Sequence, residues 1–123
     1  MTIDIVGRTV TYLLIYSDSE CHGEFDVFIR SWFTPTASGN VPVTPTTSSL
    51  TLGGDGAFSA DWVNVDKRPQ VGMYGVNAQL RGQVGLGTIT GTFNITFTAV
   101  TIEGPSLSSS CASGPVSWTA TKQ

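Results

Sequence analysis

The sequence is poor in charge, cysteine and histidine, and it contains no long apolar run. Charged residues fill 12% of its 123 positions, far below the roughly 25% usual in a soluble domain. The six basic residues, Arg8, Arg30, Lys67, Arg68, Arg81 and Lys122, are scattered through a chain of net charge −3. That leaves no basic footprint for nucleic acid. No segment approaches the roughly 20 apolar residues of a membrane-spanning helix, so membrane insertion is not expected. The opening MTIDIVGRTV lacks the charged region and apolar stretch of a signal peptide, so any leader lies outside these residues. With His22 as the single histidine and no Gly-x-Ser-x-Gly elbow, a nucleophile–base triad cannot be assembled. Neither cysteine has a Cys-x-x-Cys partner, which argues against a zinc site, and no cofactor motif is present.

What replaces charge is Thr, Ser and Gly, residues that suit pleated strands and tight turns and populate helix interiors poorly. The length fits one domain, residues 1–123, with a continuous core. Thr9–Tyr16 (TVTYLLIY) reads as a buried strand, and SDSECHGE as a turn after it. From Glu24 to Phe33 the chain alternates, with Phe25, Val27, Ile29 and Phe33 expected inward. Residues 34–49, rich in Pro, Thr and Ser, read as a long loop with an edge segment near Val41–Val43. Gly53–Gly56 marks a hairpin into a strand at Ala57–Val65, VDKRPQ turns the chain, and Val71–Arg81 and Leu86–Ile102 are long strands. Alternation is clearest where Phe93, Ile95, Phe97 and Ala99 interleave with Thr92, Asn94, Thr96 and Thr98. Cys111–Thr121 closes the fold, with Val116, Trp118 and Ala120 inward. The expectation is an all-β fold: an antiparallel sandwich or partly closed barrel of about seven strands, with no helix.

Two cysteines in a small, Lys-poor chain imply a disulfide, Cys21 to Cys111, in a secreted or cell-surface protein. Closing a loop of about 90 residues stabilises the fold by about 4 to 5 kcal/mol on chain-entropy grounds. Several positions carry a shared pattern: Cys21, Gly56, Phe58 and Ser59, then Gly91, Thr92 and Phe93, then Cys111, Ser113, Gly114, Val116, Trp118 and Ala120. The closing run Cys-x-Ser-Gly-x-Val-x-Trp-x-Ala is its most specific part. From Cys21 onward the chain resembles uncharacterised secreted all-β domains of actinobacteria. The resemblance implies an exported, disulfide-tied β domain and brings no established activity with it.

Asp18, Glu20, His22, Glu24 and Asp26 fall at every second position. In one continuous strand they share a face and offer carboxylates and an imidazole to a cation, with Asp18, Glu20 and His22 the leading ligands. Gly23 and Ser-Asp-Ser favour instead a solvated acidic turn. Phe28, Trp32 and Tyr74 lie on the parity opposite the core, where exposed rings stack on sugars or on a protein partner; the alternative buries them under the 34–49 loop. Paired carboxylates for glycoside cleavage would come from Glu20, Glu24, Asp26, Asp61 and Glu103, and their spacing singles out no pair. Asn94-Ile95-Thr96 is a sequon on the wet face of a strand.

These features point to a non-catalytic extracellular module for surface attachment, recognition or assembly, contacting protein or carbohydrate. The alternatives are a β-barrel binding a small apolar ligand and, last, a carboxylate-dependent carbohydrate-active enzyme. Self-association through an unpaired edge strand is a further expectation.

Overall fold

The structure, a computed structural model, describes residues 2–34, 38–39, 44–49, 51–64, 72–101 and 106–121. The described residues contain ten strands and no helix. These are β1 (Thr2–Val6), β2 (Thr9–Gly23), β3 (Val27–Phe33), β4 (Ser38–Gly39), β5 (Thr44–Ser49), β6 (Ala57–Val63), β7 (Met73–Val84), β8 (Thr88–Val100), β9 (Ser108–Ala112) and β10 (Val116–Thr121). All pair antiparallel in the order β4-β3-β2-β9-β8-β7-β6-β5, with β1 added to β2 and β10 to β8. The strands beyond the expected set are β1, the two-residue β4, and the division of the last strand into β9 and β10. That division is a bulge. Ser113 N–H donates to the Ile95 carbonyl (3.1 Å), and Ser113 Oγ accepts from Ile95 N–H (3.0 Å), so a side chain replaces the backbone acceptor lost there.

The sheet curls into a half-barrel, because rings from strands far apart in its order must meet. Phe33 of β3 packs on Trp62 of β6 and on Phe93 of β8, each at 5.3 Å between ring centroids. Trp62 Nε1–H also donates to the Thr34 carbonyl at 2.7 Å, and a backbone bridge joins Thr9 to Thr51. The two ends of the order are close along the chain, since Gly39 and Thr44 are separated by at most about 18 Å of extended backbone.

Inward alternation builds the core: Phe58, Ala60 and Trp62 on β6; Val76, Ala78 and Leu80 on β7; Ile89, Phe93, Ile95, Phe97 and Ala99 on β8. On β2 the inward parity changes between Val10 and Leu13, because Thr11 is an extra residue against β1, where Asp4 faces Tyr12 and Ile5 faces Val10. One inward row reads Phe58, Gly82, Gly91, Trp118 across β6, β7, β8 and β10. The two glycines there make room for the flanking rings, whose centroids lie 6.3 Å apart.

Cys21 and Cys111 stand directly opposite each other on β2 and β9, disulfide-bonded with Cα atoms 4.0 Å apart, and both are buried. Several expectations need correction. SDSECHGE is no turn: its first seven residues continue β2, held by β3 on one edge and β9 on the other. Val27 and Val116 are 40% and 41% exposed rather than inward, each at the first position of its strand, where the covering ladder begins. Residues 34–49 are not all loop, because 44–49 form an edge strand beside β6; Val41–Val43 and VDKRPQ lie outside the described residues.

Candidate functional site

The outward face of β2 carries Tyr16, Asp18, Glu20 and His22, while Ser17, Ser19 and Cys21 point in. Asp and Ser are weak strand formers. Here the pairing on both edges outweighs that preference, and the small inward serines let β2 lie close over the core.

Register then extends this face across five strands. Phe28, Glu20, Ala112, Thr96 and Asn77 form one row over β3, β2, β9, β8 and β7. His22, Ser110, Thr98 and Tyr74 form the adjacent row. Apart from Asn77 and Tyr74, which continue the rows onto β7, these residues line an open groove of about 1020 Å³ together with Asp18, Gly75, Ser113 and Gly114. Phe28 stands at its rim with 72% of its surface exposed, an unusual position for a phenylalanine unless the ring has something to meet.

Two charge arrangements flank the groove. Arg30 grips Asp18 in a bidentate pair, Nε to Oδ1 at 2.8 Å and Nη2 to Oδ2 at 3.1 Å. The hydrogen bonds from Arg30 hold the Asp18 carboxyl below the usual carboxylate range, and those same bonds raise Arg30. His22 sits between two carboxylates, with Nε2 3.5 Å from Glu20 Oε2 and Nδ1 3.2 Å from Asp26 Oδ1. Hydrogen bonding to Glu20, then to Asp26, pushes the imidazole above its ordinary value.

The structure brings some of the sequence candidates together and separates others. Phe28, Glu20 and His22 share the groove, while Tyr74 is half-buried outside its lining, on the same face, where register sets it beside Thr98. Trp32 does not join them: β4 pairs with β3, and the indole lies against Gly39, where no side chain could fit. Asp18, Glu20 and His22 share a face, yet they do not converge as cation ligands, because Asp18 is turned to Arg30 and Glu20 to His22. Among the described residues no group of three or more His, Cys, Asp or Glu side chains is arranged to hold a metal ion.

The remaining carboxylates are engaged elsewhere or undescribed. Glu24 accepts from Ser108 N–H at 3.1 Å, Asp61 pairs with Arg81 at 2.9 Å, and Glu103 lies outside the described residues. Sequence reasoning missed Arg30 as the partner of Asp18, and it missed the floor of Thr96, Thr98, Ser110 and Ala112. The chain matches no family model, no curated protein and no solved structure.

Proposed function

We propose that the chain is a non-catalytic extracellular binding module and that the outward face of β3, β2, β9, β8 and β7 is its contact surface. The observation that carries this reading is Phe28, exposed at the rim of a groove whose walls are hydrogen-bonding side chains. A trough that mixes hydrogen-bonding side chains with apolar surface and one exposed ring suits recognition, where the ring supplies contact area and the polar groups supply orientation. The buried disulfide supports an oxidising location, either secreted or at the cell surface. An apolar-ligand barrel fits the interior less well, since Trp62, Phe33 and Phe93, the rings such a pocket would use, are packed on one another.

The test is sedimentation of the labelled protein with cells and extracellular material of its source organism. Retention is expected, and Phe28→Ala is expected to abolish most of it without moving the melting temperature. Absence of retention, or equal retention of the variant, would overturn the reading.

A further inference from the structure

We propose that this face binds an uncharged oligosaccharide of about four sugar rings, laid across the strands from Phe28 to Tyr74. The inference rests on reading the chain as a binding module, and it names the ligand class.

The rows set the shape. From β3 to β7 there are four strand-to-strand steps of about 4.8 Å, so the trough is roughly 19 Å long, and its two rows lie about 6.7 Å apart along the strands. A chain of pyranose rings advances by close to one interstrand spacing per ring, so successive rings fall over successive strands. The rows carry an aromatic residue at each end of the face, Phe28 at the groove rim on β3 and the half-buried Tyr74 beyond the groove lining on β7, which suits stacking on the C–H faces of sugars. The middle of the trough is kept low by Ala112 on the central strand β9.

The polar groups match a polyol. Thr96, Thr98 and Ser110 offer hydroxyls that both donate and accept, Asn77 a carboxamide, and Glu20 acceptors alone. Such side chains can satisfy hydroxyls of either orientation along a sugar chain.

Charge excludes polyanions. Arg30, which lies on this face beside Asp18, already holds that carboxylate through both Nε and Nη2. His22 is flanked by Glu20 and Asp26, so an approaching sulfate, phosphate or uronate meets carboxylates beside the imidazole. A protein partner is less well matched, because the exposed rings of this face, Phe28 and Tyr16, are separated by the Asp18–Arg30 pair rather than joined in a contiguous patch.

The test uses neutral cello-, chito-, xylo- and manno-oligosaccharides of increasing length, first on an array and then by calorimetry. At least one series is expected to bind, with affinity rising about tenfold or more up to four rings and then levelling. Phe28→Ala and Tyr74→Ala should each weaken the four-ring ligand by about tenfold, and Glu20→Gln by a smaller factor. A Ser117→Ala, Thr119→Ala double variant on β10, outside the trough, should bind as the parent does. All variants are compared at equal melting temperature, and Phe28→Ser replaces Phe28→Ala if that variant misfolds. Failure of every neutral glycan, with cell retention still dependent on Phe28, overturns the oligosaccharide and leaves a protein partner in its place. Binding of sulfated or uronate glycans instead overturns the charge argument and with it the proposal. Loss of both activities overturns the module as well.

Discussion

The inward row Phe58, Gly82, Gly91, Trp118 makes two glycine substitutions behave in opposite ways. A methyl group at Gly82 comes closer than 3.0 Å to Phe58 Cζ, Cε1 and Cε2, so its nearest obstructions all belong to one ring. At Gly91 the same methyl meets the Trp118 ring and also the backbone carbonyl of Arg81. Overpacking of this kind costs about 2–3 kcal/mol, and truncating the buried Phe58 to alanine costs about 3–5 kcal/mol. In the Gly82→Ala, Phe58→Ala pair the methyl occupies space the ring has vacated. The double variant is therefore less destabilised than the sum of its parts by about 1–3 kcal/mol. Trp118→Ala cannot relieve Gly91→Ala in this way, because the Arg81 carbonyl belongs to the ladder itself. The coupling there is close to zero. Urea unfolding of the oxidised protein, followed by far-ultraviolet circular dichroism, measures all six variants on one scale. Phe58→Leu serves in place of alanine if the stability, about 5–15 kcal/mol for a domain of this size, does not tolerate the larger loss. Additive costs at Gly82, or rescue at Gly91, would refute the reasoning.

Replacing both cysteines by alanine is expected to lower stability by about 4.5 kcal/mol, from a crosslink spanning 90 residues; a loss below about 1 kcal/mol in urea titrations would contradict this. The His22 ring resonances should titrate above the ordinary midpoint near pH 6.5, and Glu20→Gln with Asp26→Asn should bring the midpoint back toward it. Because folding raises this pKa, the linked stability is fully present below about pH 6.5 and is lost as pH rises through the raised value. His22→Gln should lack that slope, and a midpoint at or below the ordinary one would count against the double hydrogen bond. For Asp18 the sign reverses. Its lowered pKa means that the contribution of the Arg30 pair is present above the ordinary carboxylate value and is lost as pH falls through the lowered one, which Asp18→Asn should remove.

The long strands were legible because their inward positions are large and apolar at period two, as at Phe93, Ile95 and Phe97. β2 beyond Tyr16 was not, because Ser17, Asp18 and Ser19 are turn formers taken alone. Only the ladders to β3 and β9 make them a strand, and one of those partners is distant in sequence. Trp32 shows the converse error. Its parity was read correctly as outward, but an outward position can still be covered by a short edge strand, and a pair such as Ser38–Gly39 gives no periodic signal. The groove was half legible: Glu20, His22 and Phe28 stand out by residue type, whereas Ser110, Ala112 and Thr96 are ordinary until register places them. That register was implicit in the cysteines. If Cys21 faces Cys111, then Glu20 must face Ala112 and His22 must face Ser110.

The same pairing explains why the crosslink matters to the site and not only to stability. Along the sheet order, β9 is the strand that joins β4-β3-β2 to β8-β7-β6-β5, and both rows of the groove cross it. Its ladder to β2 holds four residue pairs, Glu20–Gly23 against Ser109–Ala112, few enough that backbone hydrogen bonds alone specify register weakly. A slip by one residue would turn Ser110 and Ala112 inward and leave a different set of side chains beside Glu20 and His22. The Cys21–Cys111 bond sits within those four pairs and forbids the slip. Phe28 and Glu20 on one side of the joint and Thr96, Thr98 and Tyr74 on the other thus become a single surface through one covalent bond on the opposite face of the sheet.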